Sequence, residues 1–358
     1  MSEYLNQRYR NLSPYTPGEQ PLDKAYIKLN TNENPYPPGS GVLKVINEAE
    51  VKDLRLYEDP DNRLVIRTLA EHYGVKPSQV CVTCGSDETL DLAIMAFGED
   101  GFAFPDLTYN FYKVFCQLHH TDMQVIPLKN DFTIDVKDYL GLGKGVILAN
   151  PNAPTGLVLP REKIEEILKA DPHHVVVVDE AYIDFNEGGS MIPYVNKYPN
   201  LLVVQTFSKA RSLAGARVGY GIGSEALISD LERIRNSMNP YGLSRLSQQA
   251  AIAAVQEQEY YDENCRKVIA TRTWFIQELE KLGFSVLPSH TNFVLAHSDQ
   301  IPGEVLYQKL KDHGVLVRHF SDPRIADAVR ISIGTDEDMH QAAEKIREVL
   351  GEWNASQK

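Results

Sequence analysis

Val175-Val176-Val177-Val178, followed directly by Asp179, is an unbroken run of β-branched residues. A run without a polar face is typical of a strand that is buried on both sides, in a mostly parallel sheet covered by helices. Three further apolar runs also end in polar or glycine-rich residues: Val80–Thr83, Gly145–Ala149 and Leu201–Val204. Helical patterns alternate with strand patterns along this part of the chain. The sequence therefore predicts an open α/β fold.

The length predicts more than one domain. At roughly 150 residues per domain, 358 residues correspond to about two. Residues 1–40 include a stretch rich in Pro, Asn and Tyr that we interpret as an N-terminal arm joining the small domain. Residues 41–245 carry the strand–helix alternation and form the predicted large domain. Residues 246–358 begin with a long helical connector and continue as a smaller α+β domain.

Charge and composition exclude several classes of protein. With 36 Lys+Arg against 49 Asp+Glu the net charge is −13, which disfavours general binding to nucleic acid or to an anionic membrane. No apolar run approaches the roughly 18 residues of a membrane helix, and the start lacks the pattern of a secretory signal, so we expect a cytoplasmic protein. Four cysteines in so long a chain do not form a disulfide scaffold.

The segment after the run at 201–204 carries the clearest chemistry. It reads Thr206-Phe-Ser-Lys-Ala-Arg-Ser-Leu-Ala-Gly-Ala-Arg217. Lys209, with a cation eight residues later, suits an amine whose pKa is lowered by burial and by a neighbouring charge, as a Schiff-base lysine requires. The hydroxyls of Thr206 and Ser208 are placed to share a phosphate with Arg217. A solvated loop lysine is the alternative interpretation.

Polar residues follow the other runs as well. Asp179 would be costly in an apolar site unless it met a cation, such as the protonated ring nitrogen of a pyridine cofactor. Gly85-Ser86-Asp87-Glu88 offers backbone N–H groups at a helix N-terminus, which suits a phosphate. The amide of Asn152 is not explained by turn chemistry. Helix capping is the simpler alternative for Asp179 and Ser86.

These motifs, and their order along the chain, resemble those of the fold-type-I pyridoxal-phosphate aminotransferases. The carriers are Ser-Lys-(x)4-Ala-Gly-x-Arg at 208–217, Asp-Glu-Ala-Tyr at 179–182, Asn-Pro-Asn-x-Pro-Thr-Gly at 150–156 and Gly-Ser-Asp-Glu at 85–88. The remaining motifs are similar to those of the histidinol-phosphate aminotransferase family: Pro-Tyr-Thr-Pro-Gly at 14–18, Leu-Asn-Thr-Asn-Glu-Asn-Pro at 29–35, Tyr-x-Asp-Pro at 57–60, Val-Arg at 317–318 and Arg-Ile-Ser-Ile-Gly-Thr at 330–335. The similarity spans essentially the whole chain.

This resemblance implies a role for each matching residue. Lys209 would link covalently to pyridoxal 5′-phosphate and then shuttle a proton, and Asp179 would pair with the ring nitrogen. Asn152 and Tyr182 would hydrogen-bond the ring hydroxyl, and Tyr109 would stack on the ring. The cofactor phosphate would be held by Ser86, Asp87, Thr206, Ser208, Arg217, and Tyr57 from a second subunit. The resemblance therefore also implies a homodimer.

The substrate-binding residues implied by the resemblance are Tyr15, Asn32, Arg318 and Arg330. A phosphate monoester carries about −1.5 to −2 charges at neutral pH and suits two guanidinium groups, so we expect the arginines to bind the substrate phosphate. The expected reaction is transamination between histidinol phosphate and 2-oxoglutarate, giving imidazole-acetol phosphate and glutamate in histidine biosynthesis. For either arginine alone, a surface ion pair is the more usual role.

Three other functions remain open from the sequence. An aromatic amino-acid aminotransferase would act on phenylalanine or tyrosine. A threonine-phosphate decarboxylase would have a similar scaffold and a phosphorylated substrate of its own, and would also have to bind the carboxylate that leaves. A non-enzymatic ligand sensor with a pyridoxal-phosphate fold would need a DNA-binding head, but no basic helix-turn-helix segment precedes Asn30.

Three further motifs are given structural interpretations. Cys81 and Cys84 have zinc-ligand spacing, but no second ligand pair follows, so we predict no metal site. The adjacent pairs His119-His120 and His173-His174 are unsuited to shared chelation if they lie in strands. The glycine-rich stretch 219–224 lacks the complete dinucleotide-binding pattern, and we interpret it as backbone at the end of a strand.

Overall fold

The computed structural model describes residues 5–357, so residues 1–4 of the predicted arm and residue 358 of the predicted small domain lie outside the described chain. The strands in that range are β1 (Ile27–Lys28), β2 (Val80–Thr83), β3 (Phe102–Pro105), β4 (Met123–Ile126), β5 (Gly145–Ala149), β6 (Val176–Asp179), β7 (Leu201–Thr206), β8 (Gly219–Gly223), β9 (Ser285–Val286), β10 (Phe293–His297), β11 (Val315–Leu316), β12 (Arg318–His319) and β13 (Ala328–Ser332).

Seven of these strands form one sheet in the order β2-β8-β7-β6-β5-β3-β4. All are parallel to one another except β8, which runs antiparallel to both of its neighbours. Val146 and Leu148 pack into the apolar cluster on one face of the sheet, while Ile147 packs into the cluster on the other face. Because both faces are covered, the strands need apolar residues at every position. The mostly parallel α/β fold predicted from the sequence is confirmed.

The α-helices are α1 (Ser40–Val45), α2 (Glu48–Lys52), α3 (Arg63–Tyr73), α4 (Ser86–Phe97), α5 (Phe111–His119), α6 (Arg161–Ala170), α7 (Glu225–Met238), α8 (Arg245–Gln256), α9 (Gln258–Lys281), α10 (Gly303–Asp312) and α11 (Asp336–Ser356). Helix α3 ends before Gly74, whose φ of +66° is the left-handed conformation that favours glycine at this position. The helical connector expected at the start of residues 246–358 is two helices, α8 and α9.

The glycine-rich stretch 219–224 differs from its interpretation, because most of it is a complete strand, β8, inside the large sheet. Its composition follows from close packing. A Cβ atom at Gly219 would lie 2.1 Å from the backbone nitrogen of Ser86. Only glycine lets this strand pass so near the start of α4. A strand rich in glycine lacks the run of β-branched residues by which the other strands of this sheet were predicted.

A second sheet, of order β12-β13-β10-β9, is antiparallel and packs against α9, α10 and α11. The chain at 315–319 forms two short strands with different partners. Val315–Leu316 pairs with β1 from the N-terminal arm, whereas Arg318–His319 pairs with β13. The arm is thus attached to the smaller sheet by backbone hydrogen bonds.

A small apolar cluster lies where the two sheets approach each other. Its buried members are Leu107 and Leu128 from the side of the large sheet, and Leu295, Ile325 and Ala328 from the side of the small one. Within residues 5–357, no helix has both the length and the apolar character needed to cross a membrane.

Candidate active site

A cavity of about 550 Å³ opens at the carboxyl edge of the seven-stranded sheet. Its lining includes the last residues of three neighbouring strands, Ala149, Asp179 and Thr206, and the first residue of α4, Ser86. Of the site residues expected from the sequence, all but Asn152 and Tyr57 line this cavity. Ligands of open α/β sheets bind at this edge, so the cavity is the candidate active site.

Lys209 lies in the turn after β7, and the N-terminal arm contacts both ends of the residue. Its amine donates a hydrogen bond of 3.2 Å to the backbone oxygen of Thr31. The side-chain amide of Asn34 donates to the backbone oxygens of Lys209 and Ala210, both at 3.1 Å. Burial, followed by the charge of Arg330, lowers the pKa of Lys209 to about 8. A neutral, nucleophilic amine is therefore accessible near physiological pH.

Asp179 ends β6 and is buried, with 4% of its surface exposed. In the described chain its hydrogen-bond donors are neutral: the Tyr112 hydroxyl at 2.7 Å and the backbone N–H of Ala181 at 3.2 Å. Burial raises the pKa of this carboxyl group to about 6. A buried carboxylate held only by neutral donors fits a ligand that brings its own cation, such as a pyridinium ring.

A phosphate cradle surrounds the start of α4. Gly85 has a φ of +82°, and a Cβ atom there would lie 2.6 Å from Nη2 of Arg217. The guanidinium of Arg217 is half exposed and lies 3.4 Å from Oδ2 of Asp87. The hydroxyls of Thr206 and Ser208 lie 3.0 Å apart beside it. Helix N–H groups, two hydroxyls and one guanidinium are the donor set that a phosphate needs. Together with Asp179, they fit pyridoxal phosphate.

Tyr182 and Asn32 are hydrogen-bonded to each other. The amide of Asn32 donates to the Tyr182 hydroxyl at 3.0 Å, and Ser332 donates to Oδ1 of Asn32 at 3.0 Å. Asn32 has a φ of +55°, a left-handed conformation that asparagine tolerates better than most residues. Ser332 lies on β13, two residues after Arg330, so this short chain connects the small sheet to a residue that follows the large one.

Arg318 and Arg330 are direct partners across the antiparallel pair β12–β13. Arg330 is partly buried; its Nη2 donates to the backbone oxygen of Asn30 at 3.3 Å, and its buried Nε atom has no partner in the described chain. Arg318 donates to the backbone oxygens of Thr16 and Pro17 in the arm. Like charges directly opposite each other destabilise a sheet, so this pair fits an anion bound between them.

Aromatic side chains form the wall nearest the arm. Tyr15 stacks on Phe111, with ring centroids 4.3 Å apart, and approaches Tyr109 edge-on at 6.3 Å. The hydroxyl of Tyr109 donates to Oδ1 of Asp87 at 2.8 Å. This wall suits a flat ring, whether that ring belongs to a cofactor or to a substrate.

Asn152 and Tyr57 lie outside this cavity. The amide of Asn152 donates to the backbone oxygen of Leu107 and to the Thr155 hydroxyl, both at 3.0 Å, and the residue lines a neighbouring cavity of about 440 Å³. Tyr57 is 78% exposed and packs against Tyr241, with ring centroids 4.5 Å apart. For Tyr57 this location agrees with a role in a second subunit.

Several site residues were not identified from the sequence. Tyr112 is hydrogen-bonded to Asp179, and both Thr31 and Asn34 are hydrogen-bonded to Lys209. The ring of Phe320 contacts the guanidinium of Arg330. Thr31 and Asn34 lie in the motif at 29–35, which was singled out from the sequence without a role for these two residues. Tyr112 gave no signal, since its periodicity is that of a buried helix face.

The cysteine and histidine pairs noted in the sequence lie among buried residues or beside carboxylates. Cys81 is buried on β2, and burial raises its pKa well above the usual value. His119 contacts Asp91, and His174 contacts Asp171 and Asp100. Within the described chain, no three His, Cys, Asp or Glu side chains are grouped as metal ligands.

Comparison with known proteins defines the class. The sequence signature of the aminotransferase class I and II family matches residues 24–346, so the chain belongs to that family. Within it, the chain belongs with the histidinol-phosphate aminotransferases. It is 45% identical to one from Clostridium botulinum and 46% identical to one from Brachyspira hyodysenteriae, in each case over 98% of this chain and 99% of the relative.

A solved structure of a histidinol-phosphate aminotransferase from Sinorhizobium meliloti, in complex with pyridoxal-5′-phosphate, superposes with a TM-score of 0.84. It is 28% identical, and the superposition covers 92% of each chain. The fold-type-I architecture expected from the sequence motifs is therefore confirmed.

Proposed function

We propose that this aminotransferase transfers the amino group between L-histidinol phosphate and 2-oxoglutarate, giving imidazole-acetol phosphate and glutamate in histidine biosynthesis. One observation carries the choice of substrate: the opposed arginines Arg318 and Arg330 line the same cavity as Lys209. A dianionic phosphate ester between two guanidinium groups, with its amine near the lysine, uses both features at once. The relatives named after this activity support the same choice.

Pyridoxal phosphate would be held by the residues that the sequence motifs single out. Asp179 would pair with the ring nitrogen, Lys209 would bind the aldehyde carbon, and Tyr109 would face the ring. Tyr182, which lines the cavity, would bind the ring hydroxyl, together with Asn152, which lies between the lining residues Pro151 and Ala153. The phosphate would be bound by Ser86, Asp87, Thr206, Ser208 and Arg217, with Tyr57 from a second subunit. When bound, the cofactor supplies a ring that accepts the electron pair released at the substrate Cα.

The residues of this chain supply binding and proton transfer. The Lys209 amine, with a pKa of about 8, would take the proton from the substrate Cα and deliver it to the C4′ atom of the cofactor. Asp179 would keep its charge because it gains a cationic partner. Arg318 and Arg330 would orient the phosphate in one half-reaction and a carboxylate of glutamate in the other. Exchange of the two amino donors at one site predicts ping-pong kinetics.

The proposal includes a homodimer. Large apolar side chains are exposed in and beside helices α1 and α2: Leu43 at 68%, Val51 at 51%, Leu54 at 50% and Leu56 at 47%. Tyr57, the next residue in the chain, is 78% exposed. Exposed apolar side chains concentrated in one stretch of the chain favour an interface between subunits. The boundaries 1–40, 41–245 and 246–358 and the cytoplasmic location stay predictions.

The decisive measurement compares kcat/KM for histidinol phosphate, phenylalanine and tyrosine on one preparation. We expect the phosphate ester to be preferred at least a hundredfold. The aromatic wall of Tyr15, Phe111 and Tyr109 favours the second candidate, an aromatic amino-acid aminotransferase, and a preference for the unphosphorylated pair would establish it. Lys209→Ala should lose all turnover, and Lys137→Ala, on an exposed lysine, is the matched control.

A further inference from the structure

The side chain of Arg324 joins the two sheets at the rim of the cavity. It belongs to the segment 320–327, between β12 and β13. Its Nη1 donates to Oδ2 of Asp106 at 2.8 Å, and its Nη2 donates to the backbone oxygen of Lys129 at 2.7 Å. The guanidinium carbon lies 5.1 Å from the ring centroid of Phe132. Three contacts of one side chain therefore fasten this segment to the large sheet.

The acceptor is itself held in place. Asp106 follows β3 directly, and its Oδ1 accepts backbone N–H groups from Leu107 at 2.8 Å and from Leu128 at 3.0 Å. These bonds fix the carboxylate plane and leave Oδ2 for the arginine. A charge-assisted bond to a fixed acceptor selects one position of the donor.

The fastened segment also carries a ring that contacts both of the expected substrate arginines. Phe320 has its ring centroid 5.6 Å from the guanidinium carbon of Arg318 and 5.4 Å from that of Arg330. Three residues separate it from Arg324, and Arg324 lies in the turn 322–325, which is closed by a hydrogen bond from Ile325 N–H to the Asp322 backbone oxygen. A shift of Arg324 is thus transmitted to the ring over a short, turned segment.

We propose that Arg324 is a positioning residue for substrate binding: by anchoring to Asp106 and to the Lys129 carbonyl, it holds Phe320 against the two arginines and so sets affinity for the phosphate end of the substrate. This rests on the proposed function, since it assigns the phosphate to that arginine pair. Arg324 itself does not touch the reacting atoms.

The kinetic test uses Arg324→Met, which keeps the apolar stem and removes the hydrogen bonds. We expect KM for histidinol phosphate to rise about tenfold with kcat changed less than threefold, and kcat/KM for L-histidinol, the same amine without phosphate, to change less than twofold. An equal loss for both amines would overturn the proposal. Arg347→Met, on an exposed arginine 4.0 Å from Glu278, is the matched control.

A double-mutant cycle tests the named partner. Asp106→Asn keeps an oxygen for the two backbone N–H groups but removes the charge that binds Arg324. If the two residues act as one contact, Asp106→Asn and Arg324→Met together should lose no more than about twofold beyond the larger single loss. Fully multiplied losses would show that they act separately, and would overturn the proposal.

Hydrogen exchange gives a reading that does not depend on activity. In the cofactor-loaded protein, Arg324→Met should speed amide exchange in segment 320–327 at least fivefold, and Arg347→Met should leave it unchanged. Unchanged exchange in Arg324→Met would overturn the anchoring. If the unaltered enzyme failed to turn over histidinol phosphate while this exchange difference held, the proposed function would fail and the anchoring would stand.

Discussion

The hydroxyl group of Tyr112 donates a hydrogen bond of 2.7 Å to Oδ2 of Asp179, in a region where both residues are buried. This neutral donor keeps the carboxyl group oriented towards the cavity without supplying a charge. Burial therefore still dominates, and the pKa of Asp179 is raised to about 6. The desolvation free energy of the Asp179 carboxylate therefore destabilises the ligand-free protein, and a cationic ligand would offset it.

Asp179→Asn should stabilise the cofactor-free protein while abolishing activity. A carboxyl group whose folded pKa is raised from 3.8 to about 6 penalises folding fully above pH 6, and the penalty disappears as the pH falls to 3.8. The penalty is at most about 3 kcal/mol. Urea unfolding should show the advantage of the variant at pH 8 and roughly half of it at pH 5. A variant less stable than the parent at pH 8 would contradict this account.

Attachment of the cofactor should follow the ionisation of Lys209. Because the pKa of its amine is lowered to about 8, the neutral form increases up to that pH and is nearly constant above it. The rate of aldehyde uptake by the cofactor-free protein, followed by absorbance, should rise about tenfold per pH unit below 8 and level off by pH 9. The same aldehyde reacting with a free lysine derivative corrects for its own ionisation. A rate still rising towards pH 10.5 would mean an unperturbed lysine.

Arg330→Gln should separate binding of the phosphate from the fold. The change removes a partly buried cation that already lacks a partner at its buried Nε atom, so the free energy of unfolding of the ligand-free protein should not fall by more than about 1 kcal/mol. Loss of a charge-assisted contact should lower kcat/KM for histidinol phosphate by about ten- to hundredfold. L-Histidinol serves as the comparison substrate. A similar loss with both amines would argue against a phosphate contact.

Mixing two impaired variants tests whether Tyr57 acts across a dimer. Lys209→Ala lacks the amine, and Tyr57→Ala should bind the cofactor at least tenfold more weakly. If Tyr57 serves the other subunit, a mixed dimer has one complete site, because the Tyr57→Ala chain supplies the lysine and the Lys209→Ala chain supplies the tyrosine. Random reassociation makes half of the dimers mixed, so activity at limiting cofactor should recover to about a quarter of the unaltered value. No recovery would place Tyr57 in its own subunit's site or in none.

The sequence allowed the strands that end in the site to be predicted within one or two residues. Val80–Thr83 and Gly145–Ala149 match the structure, because a strand buried on both faces has an apolar residue at every position. Strand β8 was missed because its glycines reflect close packing against α4, a tertiary constraint without a local pattern. The motifs that follow these strands predicted the cavity lining, because recognising a strand also shows which residues lie at its carboxyl end.

Contacts between distant segments were the part that could not be predicted. The bond from Asn34 to Lys209 joins residues 175 apart in sequence, and that from Arg324 to Asp106 joins residues 218 apart. Asn34 belongs to the motif at 29–35, but nothing in that motif names Lys209 as its partner, and no motif includes Arg324. Their roles follow from the way the arm and the small sheet return to the large sheet, which no short pattern records.

The position of β8 has a consequence for biosynthesis on the ribosome. Strand β2, which leads to Ser86, joins the large sheet only through β8, so the sheet edge that carries the phosphate cradle stays open until Gly223 has emerged. Arg318 and Arg330 follow much later in translation. Since domains fold in part as they are made, a nascent chain can complete the half of the site that receives vitamin B6 while the half that selects the amine has yet to be synthesised.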